Sequence, residues 1–261
     1  MALNETFDRV AALYDRARPR YPRELYDDLA AITGVAPGAR VLEIAPGTGI
    51  VTGELARRGY DVTAVEMGAN LAAVAKRNLA PFPNARVEVS RFEDWDGGAG
   101  KFDLTCCATA FSWLEPSARP EKCAALLRPG GHLAVWDTLH VDGGTSQFFI
   151  DMQGCYERWM PGTEPGLRQP TIASAVRPEY GLGDSPAFEL AATREYPVTL
   201  AYTTETYLDV IQTYSGHIDL SPENAAGLYG CIREMIDAKY GGRIEKQYLF
   251  YLQVWRRRST D

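Results

Sequence analysis

The sequence lacks several features that define large classes of protein. Its apolar stretch around residues 106–111 is far shorter than the ~20 residues that a helix needs to cross a bilayer. No positively charged region is followed by an apolar one near the first residue, so no signal peptide is expected. Basic residues are also scarce, with 27 Lys and Arg against 34 Asp and Glu and a formal net charge of −7. The chain is therefore not expected to bind nucleic acid or an anionic membrane.

Cysteine is sparse and shows no metal-binding pattern. The five cysteines are odd in number, and none has the C-x-x-C spacing. Buried, reduced thiols in a cytoplasmic protein are expected, and no metal site is predicted. The 261 residues, 46% of them hydrophobic, suit one large domain or one domain with an inserted cap.

Short apolar segments alternate with helical patterns between residues 40 and 138. The segments 61–66 and 102–109 are rich in β-branched and apolar residues, and 69–79 has apolar residues at helical spacing. Such alternation is typical of a parallel sheet with helices on both faces. The segment 161–186, with five prolines, is too irregular for a simple connection and suggests a lid or a binding wall.

The most informative motif runs from Val41 to Gly49. A strand leading into Gly47-Thr-Gly49 at a helix start lets the backbone approach a ligand closely. Glu66 ends the next strand, where a carboxylate can accept two hydrogen bonds from a ribose diol. The dinucleotide pattern G-x-G-x-x-G would need glycine at position 52, where threonine stands. The expected ligand is therefore a nucleoside without a diphosphate.

These motifs, in this order, resemble those of the class I S-adenosylmethionine-dependent methyltransferases. The chain is most similar to the small-molecule branch that includes the trans-aconitate and ubiquinone-pathway methyltransferases. The matching segments are Glu43-Ile-Ala-Pro-Gly-Thr-Gly49, Glu66, Phe92-Glu-Asp-Trp95, Phe102-Asp-Leu, Phe111-Ser-Trp-Leu114 and Leu127-Arg-Pro-Gly-Gly131. An opening Tyr14-Asp-x-x-Arg-Pro-x-Tyr-Pro22 resembles the segment that folds over the cofactor in this branch.

The resemblance implies an α/β fold with a Rossmann-like, seven-stranded, mostly parallel sheet, an antiparallel last strand, helices on both faces and a helical cap. Four regions are expected along the chain. Residues 1–35 form an N-terminal helical cap segment, and 36–140 form the S-adenosylmethionine-binding core. Residues 141–186 form an inserted cap or lid, and 187–261 form the C-terminal part of the sheet with cap helices.

The resemblance also implies S-adenosylmethionine as the cofactor. Glu43 would lie near its ammonium group, Glu66 would hold the ribose hydroxyls, and Met67 would pack on the adenine. The adenine edge would contact Phe92 and Glu93. The expected cofactor-binding residues are Glu43, Ala45, Gly47, Thr48, Gly49, Glu66, Met67, Phe92, Glu93, Thr109 and Ala110.

Two positions depart from the pattern of the family. Position 45 is alanine where glycine is usual, and alanine costs about 1 kcal/mol at a positive φ, so an ordinary φ is expected there. Arg91 stands where many relatives carry an acid that binds the adenine amine. That role would pass to Glu93, Asp94 or backbone groups.

No strict catalytic signature is expected, because a sulfonium donor is already activated and the protein must mainly align the acceptor and exclude water. The candidate catalytic residues are Tyr14, which could close over the sulfonium, and His140 and His217, although a lone histidine is more often structural. With the acceptor expected to be a small molecule, transfer to oxygen or nitrogen is favoured over carbon.

Two alternatives to this function remain open. A nicotinamide-dependent oxidoreductase is disfavoured by the missing third glycine and by the lack of a Tyr-x-x-x-Lys pair. A non-catalytic protein, or one that binds S-adenosylmethionine and performs other chemistry, would keep the same cofactor motifs. The sequence does not indicate the oligomeric state.

Overall fold

A computed structural model describes residues 7–117 and 119–259, and its centre is a seven-stranded sheet. The strands are β1 Arg40–Ile44, β2 Asp61–Glu66, β3 Ala85–Val89, β4 Phe102–Ala108, β5 Leu127–Gly144, β6 Phe188–Thr203 and β7 Arg243–Arg257. Their order is β3-β2-β1-β4-β5-β7-β6, mostly parallel, with the last strands antiparallel. The predicted fold class is confirmed.

Helices connect most of these strands. The α-helices are Ala11–Ala17, Arg23–Thr33, Ile50–Arg57, Ala69–Leu79, Arg119–Leu126, Ser146–Asp151, Gln153–Trp159, Thr204–Ile211, Ser215–Ile218 and Pro222–Tyr240, and short 3-10 helices span Phe7–Val10 and Phe111–Trp113. Among the described residues, no helix is long and apolar enough to cross a membrane.

The register of the first strands brings their carboxyl ends together. β1 lies between β2 and β4, with Val41 opposite Val62 on one side and Leu104 on the other. All three strands are parallel, and their interior residues are buried on both faces, as their apolar sequences require. Ligands of open α/β sheets bind beyond such carboxyl ends. The sheet therefore places the loops after β1, β2 and β4 at one edge.

The chain divides into two compact units. The larger unit comprises Arg20–Thr138, Arg177–Tyr196 and the residues from Phe250 onward. The smaller unit comprises the residues up to Pro19, with Leu139–Val176 and Pro197–Leu249. Strands β1 to β4 belong to the larger unit, and β5, β6 and β7 each contribute residues to both.

Local signals set the limits of several elements. The helix Pro222–Tyr240 begins after Ser221, whose hydroxyl accepts a hydrogen bond from the Asn224 amide at 3.2 Å, and it ends at Gly241 with a φ of 63°. The helices Ser146–Asp151 and Gln153–Trp159 follow one another directly and meet at Met152. Strand β5 begins at Leu127, which pairs with Phe102 of β4 ahead of a register shift, and continues to Gly144.

Two cysteines of the smaller unit form a disulfide, which corrects the expectation of five reduced thiols. Cys155 in helix Gln153–Trp159 and Cys231 in helix Pro222–Tyr240 are bonded, with their Cα atoms 5.8 Å apart. Packing of the two helices creates this proximity, which a separation of 76 residues does not reveal. Cys106, Cys107 and Cys123 are free and buried, as expected.

The backbone at Ala45 also differs from the expectation. Its φ is 53°, in the left-handed region, whereas an ordinary φ was expected for alanine. The Ala45 amide still donates to the Val65 carbonyl at 2.9 Å, so the pairing with β2 continues while the chain turns toward Gly47. The turn after β1 therefore imposes this conformation in spite of the Cβ atom.

Alkylation of the unfolded protein without reductant should label three of the five cysteines, and all five after reduction. Loss of the cross-link should lower the free energy of unfolding by about 4 kcal/mol, because the disulfide restricts the unfolded chain. Denaturant unfolding with and without reductant measures this change. In the Cys155→Ala/Cys231→Ala variant, reductant should have no effect. Labelling of all five cysteines without reductant would contradict the pairing.

The Ala45→Gly variant should raise the free energy of unfolding by up to about 1 kcal/mol, because glycine adopts a positive φ without a steric penalty. The matched control is Ala73→Gly in the exposed interior of helix Ala69–Leu79, which should lower the same free energy by about 1 kcal/mol. Chemical denaturation compares both variants with the parent protein. Equal destabilisation by both changes would show that Ala45 is not strained.

Candidate functional site

The loop between β1 and helix Ile50–Arg57 is shaped by two glycines. Gly47 and Gly49 have φ values of 59° and 83°. A Cβ atom at Gly49 would lie 3.2 Å from Leu79 Cδ1, closer than ordinary packing allows. The loop therefore depends on glycine both for its conformation and for its contact with the helix Ala69–Leu79.

The Glu66 carboxylate links the glycine loop to the end of β2. Its Oε2 accepts a hydrogen bond from the Gly47 amide at 2.9 Å, and its Oε1 accepts one from the Gly68 amide at 2.8 Å. The side chain is only 3% exposed. The Glu66 carboxylate therefore points toward the glycine loop. A carboxylate in this position can also accept hydrogen bonds from a ribose diol.

Glu43 is a second buried carboxyl group in the larger unit. It is 1% exposed, and Thr52 Oγ1 donates a hydrogen bond to its Oε2 at 2.5 Å. Burial raises the pKa of Glu43 to about 8, and the nearby Glu66 shifts it in the same direction. No basic group is among the causes of this shift. Thr52, which replaces the third glycine of the dinucleotide pattern, therefore orients Glu43, a role that the sequence does not reveal.

Thr48 brings a buried hydroxyl to the same loop. The residue is fully buried, and within the described part of the chain its Oγ1 has no hydrogen-bond partner. Its carbonyl oxygen accepts a hydrogen bond from Asn78 Nδ2 at 3.0 Å. A buried hydroxyl without a partner is costly, so this atom suits contact with a ligand.

The loop after β3 is held by a lysine. Lys122 Nζ donates to the Glu93 carbonyl at 2.6 Å and lies 5.2 Å from the centroid of the buried Phe92 ring. Glu93 Oε1 accepts a hydrogen bond from the Glu115 amide at 3.2 Å. These contacts fix Phe92 and Glu93, the two residues that are predicted to contact the adenine edge. Met67, which is predicted to pack on the adenine, is half-buried.

A group of hydroxyls stands at the end of β4. Thr109 has a φ of 56°, and its Oγ1 lies 3.0 Å from the Tyr21 hydroxyl and 3.4 Å from Thr138 Oγ1. The neighbouring Ala110 is half-buried. These hydroxyls stand at the carboxyl end of β4, beside Thr138 in the middle of β5, an arrangement that the sequence motifs alone do not show.

The eleven predicted cofactor residues all lie in the larger unit, whereas the three candidate catalytic residues lie in the smaller one. There His140 and His217 pack against the Tyr214 ring, with centroid distances of 5.1 and 5.7 Å. Arg18 lies over both the Tyr14 and Tyr214 rings, at 4.8 and 5.1 Å. The structure therefore brings Tyr14, His140 and His217 together around Arg18 and Tyr214.

Burial keeps both histidines neutral near pH 7. It lowers the pKa of His140 to about 3 and that of His217 to about 4. His217 Nε2 lies 3.1 Å from the Tyr156 hydroxyl, while its buried Nδ1 has no hydrogen-bond partner among the described residues. In the part of the chain that the structure describes, no three His, Cys, Asp or Glu side chains are grouped so that they could hold a metal ion.

Comparisons with known proteins agree with this geometry. A family model for a methyltransferase domain matches residues 41–131, a range that includes every predicted cofactor residue. Trans-aconitate 2-methyltransferase of Deinococcus radiodurans is 32% identical in an alignment of 186 residues that covers 66% of this chain and 68% of that protein. A ubiquinone biosynthesis O-methyltransferase of Xanthomonas campestris is 32% identical over 48% of this chain and 57% of its own.

The chain spans about half the length of other curated relatives that it matches. An uncharacterised methyltransferase of Mycobacterium bovis is 33% identical over 51% of this chain and 52% of its own. Among solved structures, a provisionally assigned type II methyltransferase from Anaeromyxobacter dehalogenans has a TM-score of 0.64 at 20% identity, covering 92% of this chain and 97% of that one. The [4+2]-cyclase SpnF has a TM-score of 0.54 at 15% identity, covering 94% of this chain and 84% of that one. These two structures show the fold alone.

The family model begins in β1 and continues to the first residues of β5, so it covers the glycine loop, Glu66 and the end of β4. The trans-aconitate relative extends the similarity over two thirds of its own length. The chain belongs to the class I S-adenosylmethionine-dependent methyltransferases, in their small-molecule branch.

Proposed function

We propose that this protein binds S-adenosylmethionine in the larger unit and transfers its methyl group to a small-molecule acceptor. The proposal rests on one observation, the hydrogen bonds that the Glu66 carboxylate accepts from the Gly47 and Gly68 amides. They lie where the parallel strands of the sheet end. A carboxylate fixed in this way can hold a ribose diol without moving.

Two further groups fit the same cofactor. The Glu43 carboxyl is buried with no basic group acting on its pKa, so an ammonium group would be favourable beside it. The buried Thr48 hydroxyl has no partner in the described residues and is available to a ligand. When bound, S-adenosylmethionine supplies a methyl group that is activated by the positive charge on its sulfur.

The protein's own contribution is to orient the reactants and to exclude water. Thr109 and Ala110 would border the transferred methyl group, and Tyr21 holds the Thr109 side chain by its hydroxyl contact. Alignment of this kind can supply several kcal/mol of the barrier reduction in displacement reactions, on the order of 7–11 for ideal geometry. The names of the relatives, which include an O-methyltransferase, support an oxygen or nitrogen acceptor over carbon.

One alternative function is kept, namely a protein that binds S-adenosylmethionine and performs other chemistry. The specific observation in its favour is that a [4+2]-cyclase shares this fold. A nicotinamide cofactor is not supported, because Thr52 stands where the dinucleotide pattern requires its third glycine, and the Thr52 hydroxyl donates a hydrogen bond to Glu43. Detection of a methylated product, with S-adenosylhomocysteine as the co-product, would distinguish transfer from other chemistry.

The Glu66→Gln variant should bind S-adenosylhomocysteine at least about tenfold more weakly than the parent protein, because an amide cannot accept both backbone amides and a diol. Isothermal titration calorimetry measures the difference, with NADH as a ligand that should not bind. The matched control is Glu121→Gln at an exposed glutamate of the same unit, in helix Arg119–Leu126, which should leave the affinity unchanged. Unchanged affinity in Glu66→Gln would contradict the proposed site.

Cofactor binding should release a proton from Glu43. The pKa of this carboxyl is about 8 in the free protein, and a nearby ammonium would lower it. The affinity for S-adenosylhomocysteine should therefore rise with pH between about pH 6 and about pH 7.5, and calorimetry in buffers of different ionisation enthalpy should detect proton release.

In the Glu43→Gln variant, both the pH dependence and the proton release should disappear. Methylthioadenosine, which lacks the ammonium group, should bind the parent protein without releasing a proton. A pH-independent affinity for S-adenosylhomocysteine in the parent protein would show that Glu43 stays protonated, or that the ammonium lies elsewhere.

A further inference from the structure

A set of basic and aromatic side chains in the smaller unit is not explained by packing alone. We call it the basic aromatic cluster. Its members are Arg18, His140, Tyr214, His217, Lys246 and Tyr248. They come from the end of the first α-helix, from β5 and β7, and from the segment around helix Ser215–Ile218. The cluster therefore joins four distant parts of the sequence.

Arg18 is held firmly but has no acidic partner. Its Nη2 donates to the Thr213 carbonyl at 2.7 Å, and its guanidinium lies between the rings of Tyr14 and Tyr214. Its Nε is buried and makes no hydrogen bond to any described residue. No ion pair with a described carboxylate is formed either. A half-buried guanidinium usually pairs with a carboxylate, because an unpaired charge is costly away from water.

Lys246 is a second cation without an acidic partner in the described residues. It is 1% exposed, and its Nζ lies 4.4 Å from the Phe149 ring centroid and 5.3 Å from that of Tyr248. With the Gln169 amide oriented to donate to the Val141 carbonyl, its oxygen accepts from Lys246 Nζ at 2.9 Å. Burial lowers the pKa of Lys246 to about 7, so the amine is only partly charged near neutral pH.

His140 shows that this region carries positive potential and can be reached from solvent. Besides burial, the groups that lower its pKa are Lys246, Arg18 and His217, and no carboxylate opposes them. His140 is nevertheless an exposed residue of β5. The Tyr214 and Tyr248 rings stand against it at 5.1 and 5.6 Å.

We propose that the basic aromatic cluster binds a planar organic anion, a carboxylate conjugated to an aromatic or unsaturated group. The anion would offset the unpaired charge of Arg18 and Lys246, and the tyrosine and histidine rings would pack on the planar part. A neutral ligand would leave both cations unpaired in a poorly solvated site.

Histidine side-chain NMR tests the site directly, because the chain has three histidines. The protein, labelled with ¹⁵N-histidine, is titrated with benzoate and cinnamate, and with benzamide and cinnamamide as neutral controls of the same shape. The acids should shift the His140 and His217 signals. His132, which lies in the larger unit, serves as the internal control and should not respond. The neutral amides should bind at least about tenfold more weakly than the acids.

Substitutions then identify the charge that matters. Arg18→Gln should weaken binding of both acids by about tenfold or more. The matched control is Arg16→Gln on the same helix, where an exposed arginine pairs with Asp209 at 3.2 Å, and it should bind the acids like the parent protein. Lys246→Met should weaken binding more at about pH 6, where the lysine is charged, than at about pH 8.

Several outcomes would overturn the inference. The inference fails if the acids and the amides bind equally well, or if neither acid causes a response up to about 10 mM. It also fails if the NMR shifts are confined to His132, or if the Arg18→Gln variant binds the acids as tightly as the parent protein. Because the titration needs no cofactor, its result is independent of the proposed function. Retained benzoate binding in a Glu66→Gln variant that has lost S-adenosylhomocysteine would confirm that independence.

Discussion

The larger unit depends on one buried carboxylate, that of Glu66, and on the hydrogen bonds that it accepts from two backbone amides. An ionised carboxylate is costly to bury unless charged hydrogen bonds replace its water. Here those bonds come from Gly47, in the loop after β1, and from Gly68, at the start of the next helix. The contact can form only because β1 and β2 are parallel neighbours in register and because Gly47 adopts a positive φ. Sheet topology, the glycine loop and the candidate ribose site are thus one interdependent arrangement.

The same unit shows how environment gives two glutamates opposite properties. Glu66 is stabilised as an anion by two amides, whereas Glu43, in a fully buried position, accepts hydrogen bonds from the side chain and the backbone of Thr52. Burial and the charge of Glu66 together raise the pKa of Glu43 to about 8. Because this folded-state pKa exceeds that of the unfolded chain, Glu43 contributes stability at low pH that is lost as the pH rises toward 8. A positively charged ligand group would reverse that loss, which links the local cost of burying Glu43 to a function in binding.

The sequence predicted those parts of the fold that local patterns determine. The limits of β2 and of helix Ala69–Leu79 agree with the predicted 61–66 and 69–79. The first segment is rich in β-branched and apolar residues, and the second has apolar residues at clear helical spacing. The disulfide between Cys155 and Cys231, by contrast, depends on the packing of two helices and leaves no trace in cysteine spacing. The positive φ of Ala45 depends on the turn between β1 and the glycine loop, which overrides the preference of alanine. The contact between Thr52 and Glu43 is hidden for a similar reason, since only the turn after β1 brings the threonine of helix Ile50–Arg57 back beside this strand.

Net charge was informative about macromolecular partners but not about a small anionic ligand. The chain carries a formal charge of −7, and surface charges are screened over about 10 Å at 0.1 M salt. Arg18 and Lys246 are partly or fully removed from solvent, where the lower effective dielectric strengthens their field at short range. A few desolvated cations without carboxylate partners can therefore dominate a site within a protein that is acidic as a whole. Such a site is assembled by β5, β7 and the first α-helix together, so no window of the sequence displays its charge.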